Sequence, residues 1–290
     1  MRRIGLLLGF LALCLLWQDG WSLHAQTPSE PQARIDVDIE LVLAIDISYS
    51  MDLEELALQR EGYAQAFRTA EIKKAIAGGQ LGRIAVMMFD WASSFDQRVT
   101  VPWTLLDTPE SIDAFADKVS TIPIRRASRT SISGAIDFAV VQLSDNKYLG
   151  LRQVIDISGD GPNNNGRAVL PARADALAKG YTINGLPIVL KRGGWGDIED
   201  LDEYYKACVI GGPRSFMVPI RSRDEFIPAI RTKLLLEIAN LQPNDLLPND
   251  HLRTSPFGGL VKRTQAYEHQ NRPDCMVGER QWRERWERGN

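Results

Sequence analysis

The chain has 290 residues, of which 44% are hydrophobic and 24% charged, with 15 prolines and 23 glycines. Those proportions belong to an ordinary folded protein and exclude a disordered, collagen-like or polytopic membrane chain. A net charge of -3 supplies no global basic field, which argues against generic nucleic-acid binding.

Arg2 and Arg3 precede an apolar run over 4–17, and a polar stretch then leads to Leu23-His24-Ala25. This is the arrangement of a secretory leader cleaved after Ala25. The run is short for a bilayer core of about 30 Å, and Cys14 follows Leu13, where lipidation would need a small residue. No other segment is long and apolar enough to span a membrane. The expectation is an exported chain, periplasmic or secreted, with no integral membrane segment once mature. Residues 26–35, rich in Pro, Gln and Ser, read as a linker.

From there the pattern alternates. A nearly unbroken apolar run over 39–45 predicts a parallel strand covered on both faces. Leu53, Leu56, Tyr63, Phe67 and Ala70 recur at helical spacing and predict one long helix ending at Gly78-Gly79. A second buried strand is expected over 84–89, and an edge strand over 99–103 that stops at Pro102. Helical stripes over 112–119 and 132–143 come next, followed by strands over 154–157, 182–189 and 216–218. Helices are expected over 169–179, 200–207 and 224–241. Such alternation predicts a mostly parallel sheet with helices on both sides, spanning 36–241. After Leu241 the prolines and glycines give a largely irregular extension over 242–290. A short helix is expected over 279–287, its Trp282 and Trp286 docking on the domain.

Without the leader two cysteines remain, Cys208 and Cys275, and two histidines, His251 and His269. In an oxidising compartment the cysteines either form an intramolecular disulfide that ties the extension back to the domain, or stay as two buried thiols. The four residues make no zinc constellation and no Ser-His-Asp triad.

Polar residues gather where an open α/β sheet places function, at the carboxyl ends of strands near the reversal of strand order. Asp46-Ile47-Ser48-Tyr49-Ser50 ends the first strand. Thr130-Ser131 opens a helix, and Ser158-Gly159-Asp160-Gly161 ends the strand over 154–157. Each cluster alone reads as a helix cap or a turn. Together they offer two carboxylates and several hydroxyls with no thiol or imidazole, a donor set suited to a hard cation such as Mg²⁺.

Asp46-x-Ser48-x-Ser50, with Thr130 at a helix start and Asp160-Gly161 after a strand, resembles the metal-ion-dependent adhesion site of von Willebrand factor A domains. Ser158-Gly159-Asp160-Gly161, Tyr204-Tyr205 with Cys208, and 209–213 resemble an uncharacterised bacterial branch of that family. The resemblance implies a doubly wound α/β fold with a six-stranded sheet of order 3-2-1-4-5-6 and one antiparallel edge strand. It also implies an Mg²⁺, Mn²⁺ or Ca²⁺ ion held by Ser48 and Ser50, with Thr130 binding directly or through water and Asp46 and Asp160 acting largely through water. A carboxylate from a protein partner would complete the shell.

Ser158 stands where threonine is frequent in the family, and Asn163-Asn164-Asn165, which enlarges the polar rim, reads as a solvated turn ahead of the alternative that it helps select a ligand. Asp156, on the strand face shared with Ser158 and Asp160, needs a buried partner that the sequence does not name. Gly193-Gly194-Trp195-Gly196 lacks the strand-to-helix setting of a phosphate loop. The leading expectation is therefore a metal-dependent protein-binding module with no catalytic residues. The alternatives are a scaffold whose partner binds independently of the ion and, further off, a metal-assisted phosphohydrolase. For the latter, Ser48 stands where an acidic residue belongs.

Overall fold

Residues 33–190, 198, 200–241, 262–263 and 273–288 are described by the computed structural model. The leader, most of the linker and the glycine-rich loop at 193–196 lie outside them. In chain order the elements are β1 (Ile35–Val37), β2 (Glu40–Asp46), α1 (Leu53–Arg68), α2 (Ala70–Ala77), β3 (Ile84–Trp91), β4 (Gln97–Leu106), α3 (Pro109–Ser120), α4 (Ile132–Ser144), β5 (Tyr148–Gly150), β6 (Gln153–Gly159), α5 (Val169–Ala178) and β7 (Thr182–Pro187). They continue with α6 (Leu201–Tyr204), a π turn (Tyr205–Val209), β8 (Phe216–Met217), α7 (Phe226–Ile238), β9 (Lys262–Arg263) and α8 (Val277–Arg288).

Every residue of β2 is buried, because the strand lies mid-sheet with parallel partners on both sides, β3 and β6. The sheet order is β4-β3-β2-β6-β7-β8-β9, and its first six strands are the expected 3-2-1-4-5-6 with β4 antiparallel at the edge. A seventh strand, β9, closes the other edge antiparallel to β8. Two residues without an apolar run carry no strand signal, so the sequence reading left them in irregular chain. β1 and β5 form a separate parallel pair, so Ile35, read as the end of a linker, is already in a strand.

Side chains of β2 divide by parity, as period two requires. Leu41, Leu43 and Ile45 pack in one apolar layer with α1, α2, α3 and α7, whereas Val42 and Ala44 pack in the other with α4, α5 and the π turn. That two-sided cover makes the fold doubly wound.

Two boundaries differ from expectation. The single helix expected to Gly78 breaks at Thr69, which ends α1 and then caps α2 by accepting from Ile72 N. β4 continues through Pro102 to Leu106, because an edge strand has an outward side where a missing N–H breaks no ladder. Asp52 starts α1 as a capping box with Glu55.

The buried partner of Asp156 is Lys233 of α7, whose Nζ lies 2.6 Å from Asp156 Oδ1 and also contacts Glu237. Asn184 of β7 donates to Glu237 Oε1 at 3.0 Å and Tyr63 of α1 to Asp156 Oδ2 at 3.4 Å. This polar cluster pins α1 and α7 to the middle of the sheet, at the strand that leads to Asp160.

Candidate metal centre

β2 and β6 are neighbours at the point where strand order reverses, so their carboxyl ends meet at one crevice. Asp46 is the last residue of β2 and is fully buried, and its Oδ1 accepts from Ser48 N at 2.7 Å. The chain then turns towards α1, which lifts Ser48 and Ser50 above that carboxylate. Their hydroxyls lie 2.8 Å apart, and Ser50 Oγ donates to Asp160 Oδ1 at 2.5 Å. Thr130 is held just before Ser131, which caps α4, and its Oγ1 lies 3.8 Å from where a side chain on Gly161 would begin. All five residues expected at the site are thus brought to one crevice, with Ser50, Thr130 and Asp160 lining a cavity of about 110 Å³.

The electrostatics are those of an anionic nest. Burial first, and the charge of Asp160 second, hold the Asp46 carboxyl well above the usual carboxylate range. Asp46 Oδ2 is buried without a hydrogen-bond partner, as is the nearby Tyr205 hydroxyl. Burial, followed by the charge of Asp46, likewise raises the Tyr205 phenol well above its ordinary value. An orphaned buried carboxylate oxygen beside a second carboxylate and a run of hydroxyls fits a hard cation with oxygen ligands. Among the described residues no three His, Cys, Asp or Glu side chains gather at one point, so a cation here would depend on the hydroxyls.

Gly159 explains how close these groups come. A Cβ at that position would sit 2.8 Å from both Asp46 Oδ2 and the Tyr205 hydroxyl. Gly159→Ala is therefore expected to cost about 1–3 kcal/mol of stability by overpacking, which urea denaturation would read; a change below about 0.5 kcal/mol would contradict this packing.

The asparagine triplet overturns the expectation of a solvated turn. Asn164 and Thr130 clamp each other, Thr130 N donating to Asn164 Oδ1 at 2.9 Å and Asn164 N to Thr130 O at 2.8 Å. Asn165 Oδ1 accepts from Ser94 N at 2.8 Å, and buried Asn163 accepts from Ser133 N at 3.0 Å. The three side chains replace backbone partners that an irregular loop lacks, and so fix the Thr130 loop against the Asp160 loop. Ser158 is equally structural, accepting from Gln59 Nε2 at 2.8 Å and donating to Ala44 O at 3.1 Å. Tyr205 was also missed at the site, because a tyrosine in a helical stripe reads as core.

Cys208 and Cys275 are joined by a disulfide with a Cα–Cα distance of 5.5 Å, which fastens the segment before α8 to the π turn that carries Tyr205. Trp282 of α8 docks on the domain beneath Arg129, while Trp286 is exposed.

The family model described as "Protein of unknown function (DUF1194)" matches residues 36–242. No curated protein matches the sequence. Among solved structures, proximal thread matrix protein 1 of the mussel byssus, in a form with a zinc-occupied MIDAS motif, superposes with a TM-score of 0.51 at 15% identity, over 71% of this chain and 49% of that one. The pilus adhesin SpaC of Lactobacillus rhamnosus GG superposes with a TM-score of 0.54 at 13% identity, over 72% of this chain and 32% of the adhesin. A von Willebrand factor type A protein of Catenulispora acidiphila gives a TM-score of 0.47 at 14% identity, over 70% and 43% of the two chains. The chain therefore spans about half the length of the mussel protein and about a third of the adhesin. Its fold is of the von Willebrand factor A type, with the expected strand order and an α/β sheet covered on both faces.

Proposed function

The chain belongs to this family of unknown function, whose model covers well over half of it, and from that premise we propose that it is an exported interaction module that captures a carboxylate of a protein partner through a divalent ion. The observation that carries the reading is the hydrogen-bonded run from Ser48 through Ser50 to Asp160, closing over the orphaned oxygen of buried Asp46. Ser48, Ser50 and Thr130 would hold the ion through hydroxyls, while Asp46 and Asp160 balance its charge. A Mg²⁺-type ion, with Mn²⁺ or Ca²⁺ as substitutes, supplies an electrophilic position that an incoming carboxylate can fill.

The Thr130 loop is clamped by Asn164, and Asp46 Oδ1 accepts from Ser48 N, so two of the groups that would hold the ion or balance its charge are fastened within the protein. The MIDAS-bearing mussel protein and the bacterial adhesin that share the fold support an interaction role. Export is supported by the leader pattern and by the Cys208–Cys275 disulfide, which suits an oxidising compartment. No helix among the described residues is long and apolar enough to cross a membrane.

Calorimetric titration with Mg²⁺ and Mn²⁺ tests the site. The parent protein is expected to bind one ion, and Asp160→Ala to bind it at least about tenfold more weakly, a loss of about 1.4 kcal/mol or more. Equal binding by both would remove the metal from the reading. Partner capture that survives a chelator would favour a scaffold that works without the ion.

A further inference from the structure

The crevice that holds the five polar residues is not open to a flat protein surface. Ser50, Thr130 and Asp160 share the lining of its cavity with Gln281, Trp282 and Arg285 of α8. With Gly278, these helix residues fall at i, i+3, i+4 and i+7, so one face of the helix points at the metal loops.

Three independent fastenings keep that face in place. The disulfide to Cys208 anchors the chain two residues before the helix begins. Asn163 Nδ2 donates to Glu279 Oε1 at 2.6 Å, and the absence of a side chain at Gly278 lets the helix backbone approach the Asn163 carbonyl, where a Cβ would collide. The Arg129 guanidinium lies 3.4 Å from the centroid of the Trp282 ring, and Arg285 lies 5.5 Å from the same ring. Arg129, directly before Thr130, holds a φ of 78°, a backbone conformation that a side chain of this size adopts at a cost.

We propose that α8 is a tethered roof over the metal site. In the disulfide-bonded protein the site admits a small carboxylate, and the surface of a folded partner reaches it only when α8 swings away. The inference rests on the metal reading given above and adds to it a regulation of access. The cavity of about 110 Å³ left under the helix is lined both by the metal loops and by Gln281, Trp282 and Arg285, so a small carboxylate can enter beside an ion, while the neighbours of a side chain delivered from a rigid protein face would overlap Gln281 and Trp282. Arg285 places a cation in the same lining, which favours an anionic occupant.

Tb³⁺ is the probe, because an indole beside the bound ion sensitises its emission. Trp282 lines the cavity, so the parent protein is expected to show strong tryptophan-excited Tb³⁺ emission. Trp91, the strand partner of Asp46, supplies a background that the substitution leaves in place, so Trp282→Phe should lose a clear part of the emission, at least about twofold, with Tb³⁺ affinity by calorimetry unchanged within about threefold. Cys275→Ala, which cuts the tether and leaves every proposed ligand intact, should lower the emission and raise Mg²⁺-dependent retention on carboxylate-coated beads at least about fivefold over the parent. Tb³⁺ that binds with the same emission in all three proteins, or equal bead retention by the parent and Cys275→Ala, would overturn the roof and leave the metal reading standing. A parent protein that binds no Tb³⁺ by calorimetry would overturn both.

Discussion

Lys233→Met is expected to lower the unfolding free energy by about 3–5 kcal/mol near pH 8, and by clearly less near pH 5. Lys233 is 1% exposed, and its ammonium is shared between the buried carboxylates Asp156 and Glu237. Methionine fills the same volume but removes the counter-charge, leaving two carboxylates in the core. With two acids and one base the cluster carries a net negative charge unless it takes up a proton. Burial first, and the charge of Asp156 second, push Glu237 up to about 7 from an ordinary 4.5. A carboxyl whose folded value is raised contributes stability that is fully present below its unfolded value and is lost as pH climbs through the folded one. In the parent that window runs from about 4.5 to about 7. Without Lys233 both acids bind protons more tightly still, so acidification relieves the variant and the penalty shrinks. Urea denaturation of both proteins at the two pH values measures it. A penalty under about 1 kcal/mol, or one that does not change with pH, would show that the cluster is not held by charge.

That cluster also marks where sequence reasoning stops. The burial of Asp156 was legible, because it sits in an apolar strand, but Lys233 was not. In the helical pattern of α7 a lysine reads as one more solvated position, and only the approach of α7 to the centre of the sheet buries it. The central strands β2 and β3, buried along their whole length, were legible for the opposite reason. A strand covered on both faces must be largely apolar, as in 39–45, and that signal is independent of tertiary detail. Short elements such as β9 carry no comparable signal, since register with a neighbour creates them.

The five residues of the crevice could be named from the resemblance to the adhesion-site motif, whose marks, alternation at Ser48 and Ser50 and placement at strand ends, are local properties. What supports them is not local. Asn163, Asn164 and Asn165 look like any polar turn until the Ser94, Thr130 and Ser133 backbones arrive from elsewhere in the chain. Tyr205 joins Asp46 only because the helix after α6 widens into a π turn. The supporting shell of the site is thus set by topology, and the site itself by motif.

Asp46→Asn is expected to separate stability from function. In the metal-free protein the Asp46 carboxylate is fully buried, faces Asp160 and has one oxygen without a hydrogen-bond partner. Its raised folded value means that its contribution favours the fold at low pH and is lost as pH rises through that value, so above the ordinary carboxylate range this group works against folding. Asparagine keeps the shape and the acceptor for Ser48 N and removes the charge. The metal-free variant should therefore be more stable than the parent by about 0.5–2 kcal/mol, or several degrees in melting temperature at about 2–4 °C per kcal/mol for a domain of this size. Adding Mg²⁺ should reverse the order. The parent gains about 2.7 kcal/mol at a hundredfold excess over its dissociation constant, and the variant gains almost nothing. Thermal denaturation of both proteins in chelator and in Mg²⁺ gives the four numbers. A variant that is less stable than the parent in chelator would mean that the carboxylate is already compensated within the protein, and a variant that gains as much from Mg²⁺ as the parent would remove Asp46 from the metal centre.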